Sequence, residues 1–194
     1  MVKIKMSKLV GLGSSNARLT IYIKNRPPLD EYQNLDSMKF MLSSEILDVG
    51  RLTGNHWRKI FNVFAKLMFE LNASTYTRWQ DLRDQYLLQE GCNEALLFSQ
   101  PFFLSKQSLP ADNGISIIMG KTYALDILAK QENFSLDSLL WLSEDFAISK
   151  SHQLIVCPYF DYRQLSNIKI TRLVKLINSV ANPSANSLPN ELST

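Results

Sequence analysis

Apolar residues in this chain follow two different periods, and the alternation between them predicts the fold. Leu19-Thr20-Ile21-Tyr22-Ile23 is β-branched and aromatic, and Lys24-Asn25-Arg26-Pro27-Pro28 stops it, because proline offers no N–H and fixes its own backbone. Glu94–Phe98, Ile115–Met119 and Leu154–Cys157 are short apolar runs suited to buried strands, with Phe146–Ile148 as an edge strand. Between them the period lengthens. Trp57, Ile60, Phe61, Phe64, Leu67, Met68 and Leu71 recur at three and four residues, a wide helical stripe starting after Thr53-Gly54. Helices are also predicted over Trp79–Gln89, Lys121–Lys130 and Phe134–Leu142. A last one follows a cap at Ser166 or Asn167, with Leu173, Leu176, Ile177 and Val180 inward. Strands alternating with helices predict an α/β fold: a three-layer α/β/α sandwich on a mostly parallel central sheet.

The same pattern sets the domain limits. Residues 1–18 read as a loose basic leader, 19–181 as one α/β domain, and 182–194 as a disordered tail rich in Ser, Asn and Pro. Leu29 to Leu52 reads as a long irregular stretch with weak helix in Met38–Leu47, and such stretches are often functional.

Composition narrows the class without choosing a function. With 45% hydrophobic and 20% charged residues in 194, the chain suits one well-cored soluble domain. No apolar run approaches the roughly 20 residues of a membrane span, so no membrane partner is expected. Cys92 and Cys157 stand far apart, as do His56 and His152. That pattern points to unpaired thiols in a reducing cytoplasm and offers no metal-ligand spacing. No cofactor is expected. The formal charge is only +3, yet the cations are clustered. Residues 1–29, the span between Asp48 and Glu70, and the span between Asp161 and Glu191 carry basic residues and no acid. Brought together they make an anion-binding face; apart, they are solvated helix surfaces.

The most chemical connection is Pro158-Tyr159-Phe160-Asp161-Tyr162-Arg163, after the last strand. Ligands of open α/β sheets gather at carboxyl ends of strands, so this loop is expected to wall a site. Asp161 is either a working carboxylate or a turn residue beside Arg163. Tyr159, Phe160 and Tyr162 either stack a base or cover the sheet end. Ser99 and Gln100 either read a base edge or belong to ordinary loop chemistry before Pro101. Asn25 either orients a water or favours the turn before the prolines. Gly120, between strand and helix, permits close backbone packing or approach of a ligand. His56 and His152 are expected at the surface or at caps.

In order and spacing, five short segments resemble the uracil-DNA glycosylase superfamily, nearest its mismatch-specific branch. They are Tyr-Ile-Lys-Asn-Arg-Pro-Pro-Leu (22–29), Gly-Asn-His-Trp-Arg-Lys-Ile-Phe (54–61), Leu96 to Pro101, Ile-Ile-Met-Gly-Lys-Thr-Tyr-Ala (117–124) and Val-Cys-Pro-Tyr-Phe-Asp-Tyr-Arg-Gln-Leu-Ser (156–166). The resemblance spans roughly residues 19–180 and implies the glycosylase-like sandwich. It also implies a first loop whose acid or amide positions water, and a last loop whose His or Asn steadies the departing base. Aligned on the prolines, Arg26 stands at the first of those positions, with Asn25 one place earlier, and Cys157 stands at the second. Arginine is no base near neutral pH, and cysteine is a poor hydrogen-bond donor. Tyr159 replaces the serine that would contact phosphate.

The resemblance therefore implies binding of DNA, a nucleobase or a nucleotide without the family's glycosidic cleavage. Asn25 and Asp161 are the candidate catalytic pair if some chemistry survives. Arg26, Pro27, Ser99, Gln100, Lys121, Tyr159, Phe160, Tyr162, Arg163 and Lys169 are the candidate nucleic-acid contacts. An enzyme of altered base specificity and a protein-interaction module on the same fold are the alternatives.

Overall fold

The computed structural model describes residues 8–72, 76–101 and 114–181. Strands β1 (Gly11–Gly13), β2 (Leu19–Tyr22), β3 (Met38–Lys39), β4 (Glu94–Leu97), β5 (Ile115–Met119), β6 (Leu140–Trp141), β7 (Ala147–Ser149) and β8 (Leu154–Cys157) form one mixed sheet, in the order β3-β1-β4-β2-β5-β8-β7-β6. Its centre, β4-β2-β5-β8, is parallel throughout, with Ile21 beside Leu96 and Ile117, and Ile117 beside Ile155. β1 runs antiparallel to β4, and β7 antiparallel to both β8 and β6.

The four central strands are largely apolar on both faces because each face is covered. On one side pack α2 (Glu45–Thr53), α3 (Asn55–Leu71), α4 (Trp79–Gln85) and α6 (Asn167–Ala181), against Ile21, Ile117, Met119, Ile155 and Cys157. α3 lays Trp57, Ile60, Phe61, Phe64, Leu67 and Met68 into this layer, as its three-and-four spacing requires. Each such side chain contributes about 1.5–3 kcal/mol on burial. α6 buries Ile170, Leu173, Leu176, Ile177 and Val180. The other face, carrying Tyr22, Leu97, Ile118, Leu154 and Val156, is covered by Ala124, Ile127 and Leu128 of α5 (Lys121–Leu128) with Phe134 and Leu139.

Several expectations are corrected. The leader is not loose up to residue 18: Gly11–Gly13 is a buried strand. Its glycines let it lie against β4, where a Cβ on Gly11 would meet the Leu96 carbonyl oxygen at 2.4 Å. The stretch from 29 to 52 is not irregular either. It holds α1 (Asp30–Gln33), β3 and all but the last residue of α2. Tyr32, Met41, Ile46 and Val49 are buried there, too few to signal on local period alone. The region 134–142 makes a 3₁₀ turn (Leu136–Ser138) and then strand β6, not a helix. β7 starts one residue later than Phe146 and is not the edge, because β6 lies outside it. α4 ends at Gln85, four residues short, where Leu87 and Leu88 turn into the core. The expected tail at 182–194, residues 1–7 of the leader and the pair Phe102–Phe103 lie outside the described residues.

Candidate functional site

Chain direction fixes where a ligand can enter. From β2 the chain crosses by way of α3 to β4 on one side, whereas from β5 it crosses by way of α5 to β8 on the other. The connections leaving β2 and β5 therefore part company, and a crevice opens beyond their carboxyl ends. A cleft of about 900 Å³ occupies that place. β2 gives it Lys24 and Asn25; β5 and the start of α5 give Met119, Gly120, Lys121, Thr122 and Tyr123. β8 and its loop give Pro158, Tyr159, Arg163 and Gln164.

Gly120 makes the junction possible. Its φ of +94° suits glycine, and its N–H donates to the Cys157 carbonyl at 2.8 Å, locking β5 to β8 at the cleft floor. No side chain caps the helix that follows, so the first amides of α5 open toward the cleft end of the sheet.

Four cations line the cleft, Lys24, Lys121, Arg163 and Lys169, against two carboxylates, Asp126 and Asp145. Lys169 pairs with Asp145 at 2.5 Å. Asp126 pairs with Lys130, 2.7 Å away. Lys121 donates to the Glu144 carbonyl at 3.2 Å and lies 4.5 Å from the centre of the Trp141 ring. Among the described residues, neither Lys24 nor Arg163 is in an ion pair. The balance around the opening is positive.

Tyr159 ties the two expected loops together. Its hydroxyl lies 3.2 Å from His56 Nε2, with the two rings stacked at 5.6 Å. Burial pushes this hydroxyl up to about 12, partly offset by the nearby Asn25 side chain. Tyr159 is therefore protonated at neutral pH, and a donor. His56, expected only at the surface or a cap, belongs to this group because α3 begins beside the loop. No sequence period reports such a meeting of residues 103 apart.

Asn25, Lys121, Tyr159, Arg163 and Lys169 thus meet at one cleft, and the other expected site residues do not line it. Arg26 donates to the carbonyls of Tyr32, Gln33 and Leu35, closing the end of α1, and its guanidinium lies 5.4 Å from the Phe98 ring. Pro27 is buried, and its carbonyl accepts from Gln33 Nε2. Ser99 Oγ accepts from the Val10 N–H, holding β1 against the end of β4. Gln100 is exposed, away from the cleft. Phe160 is fully buried, edge-on to Phe64. Asp161 accepts from the Arg163 N–H at 3.0 Å and pairs with Lys59 of α3 at 2.9 Å. The backbone N–H and the ammonium hold its carboxyl below the usual carboxylate range. Tyr162 is half exposed and turns toward α3, with Lys59 Nζ 4.9 Å from its ring.

Cys157, at the position where the resemblance expects a base-anion partner, is fully buried, and burial pushes its thiol far up. A neutral, enclosed thiol cannot reach a ligand in the cleft. Among the described residues, no three His, Cys, Asp or Glu side chains are placed to hold a metal ion, and no helix is long and apolar enough to cross a membrane.

The fold is thus an α/β domain on a mostly parallel sheet, with a cleft at the parting of its crossovers, the place where open sheets of this kind take ligands. This chain belongs to a family of unknown function, DUF6942, whose model matches residues 10–178. That span starts just before β1, which agrees with the strand lying inside the domain. No curated protein and no solved structure matches the chain.

Proposed function

We propose that the cleft binds a phosphate-bearing nucleobase ligand, a nucleotide or a nucleic-acid strand, and does not cleave glycosidic bonds with the residues the glycosylase resemblance would use. The observation carrying this reading is the cleft itself. About 900 Å³ is open at the carboxyl ends of β2, β5 and β8, with Lys24, Lys121, Arg163 and Lys169 around it and Asn25 and Tyr159 side by side. Cations at a strand-end crevice suit phosphate, and an amide beside a phenol suits the donor and acceptor edge of a base. The meeting of the first and last loops also supports a distant kinship with the uracil-DNA glycosylase superfamily and its three-layer sandwich. The buried Cys157 and the engaged Arg26 argue against that superfamily's chemistry here.

Fluorescence anisotropy with labelled single-stranded DNA, RNA and nucleoside monophosphates, run across a salt series, tests the reading. Binding should weaken as salt rises, since phosphate contacts release counterions. Absence of any salt-sensitive binding at low ionic strength would overturn it.

A second reading, an enzyme of altered base specificity, draws on the contact chain Asn25–Tyr159–His56 rather than on Asp161, which Lys59 and the Arg163 amide already occupy. In it, protonated Tyr159 serves as the acid and the exposed imidazole returns the proton. Release of free base from a panel of modified oligonucleotides, lost in Tyr159→Phe, is the result it requires. Silence across the panel removes it.

A further inference from the structure

The turn after β8 has two sides, and the second faces a hollow of its own. Beyond Tyr162 lies a depression of about 240 Å³ on the surface of α3, lined by Arg58, Lys59, Lys66, Trp79 and Tyr162 with the amides of Asn55 and Asn62. The helical period places these residues on one stripe. Positions 55, 58, 59, 62 and 66 lie within three turns of each other, about 16 Å of helix.

Three of the lining residues are cations and none is an acid. Among the described residues, only Lys59 of the three is in an ion pair, with Asp161. Arg58 is held by the side-chain oxygen of Asn55, and Lys66 by that of Asn167 at 3.1 Å. Amides steer these two cations without cancelling their charge. The aromatic rings lie among the cations: Lys66 and Arg83 sit 5.4 and 5.5 Å from the Trp79 ring, and Lys59 and Arg163 sit 4.9 and 5.9 Å from that of Tyr162. Arg163 also lines the cleft. Cleft and hollow thus meet at the turn after β8, where Arg163 of the one lies 5.9 Å from the Tyr162 ring of the other.

We infer that the binding surface continues from the cleft over Tyr162 onto α3, and that its ligand is a run of single-stranded nucleic acid several nucleotides long. This rests on the reading of the cleft given above. A mononucleotide satisfies the cleft alone and leaves Arg58 and Lys66 without a phosphate. A duplex keeps its bases stacked inside, so none can lie on the exposed Tyr162 ring. A single strand offers both backbone phosphates for the cations and an open base face for the ring.

The test compares dAMP, a labelled dT3, a labelled dT12 and a 12-base-pair duplex, with wild-type protein and with Lys66→Glu, Arg58→Glu and Tyr162→Ala, each checked for an unchanged melting profile. The expected result is dT12 binding at least tenfold tighter than dT3, with a steeper fall in affinity as salt rises. Lys66→Glu and Arg58→Glu each weaken dT12 binding about 5–10-fold and leave dT3 binding unchanged; Tyr162→Ala weakens dT12 binding by a similar factor. Equal affinity and equal salt slope for dT3 and dT12 overturn the extended surface and leave the cleft reading standing. Tighter binding of the duplex than of dT12 overturns the single-strand assignment. No binding of any probe overturns the reading of the cleft, and the extension with it.

Discussion

At the amino ends of the parallel strands, the first residue of β4, Glu94, is fully buried; at the carboxyl ends, four cations stand around open space. The first arrangement satisfies its hydrogen bonds internally. Glu94 accepts from the N–H groups of Leu88 at 3.0 Å and Asn93 at 3.2 Å, holding the 87–93 turn against β1 and β4. Its neighbour Cys92 is likewise buried, and burial pushes that thiol up to about 11. In the second, among the described residues, Lys24 and Arg163 are in no ion pair, though Arg163 is near enough to Asp161 to help lower its carboxyl. A buried carboxyl whose hydrogen bonds are met shapes a fold, whereas an exposed cation outside any ion pair is what an arriving anion can use. Substitutions at the amino end should therefore change stability, and those in the cleft should change binding.

The largest expected effect tests the boundary between the two. Phe160 lies inside the site loop yet belongs to the core, so Phe160→Ala should cost about 3–5 kcal/mol in denaturant unfolding. A loss below 1 kcal/mol would show the loop to be independent of the core.

Next comes pH. Burial pushes the Glu94 carboxyl up to about 7, against the opposing pull of the Leu88 and Asn93 amides. The unfolded chain then holds fewer protons than the folded one between about pH 4.5 and 7. Stability from this group is complete below about pH 4.5 and is lost as pH rises through 7, on the order of 3 kcal/mol in total. Chemical unfolding of wild type and Glu94→Gln across that range should show the wild type losing ground to the variant as pH rises. Parallel curves would mean that the two amides, not burial, set the charge state.

Smaller changes follow at the cleft. Gly120→Ala strains a backbone at φ +94°, and about 1 kcal/mol is expected in thermal unfolding. Asp161→Ala, breaking a mostly shielded pair with Lys59, should cost about 1 kcal/mol and leave affinity for a labelled nucleotide within twofold. Lys24→Ala should sit within about 0.5 kcal/mol of wild type in stability while weakening nucleotide binding several-fold. If Lys24→Ala unfolds the protein and leaves binding intact, the contrast between the two ends is wrong.

Sequence pattern carried the layers well and the edges poorly. Runs such as Leu154–Cys157 and the stripe of α3 are long enough to declare their period, and both stand where the pattern puts them. β1, β3 and β6 are two or three residues each, and they form because a neighbouring strand is there to pair with. For the site, strand ends were legible because prolines and glycines mark them, so Asn25, Lys121 and Tyr159 were found together. Which way a loop side chain turns was not. Phe160 and Asp161 follow Tyr159 directly, yet one enters the core and the other turns to α3. His56 was seen in sequence without its partner, because only the packing of α3 against the loop brings it to Tyr159.

The sheet ends on each side in a strand of two residues, Met38–Lys39 and Leu140–Trp141. So short a margin offers a second molecule almost no backbone to zip onto. Side-by-side pairing of sheets is discouraged at both rims.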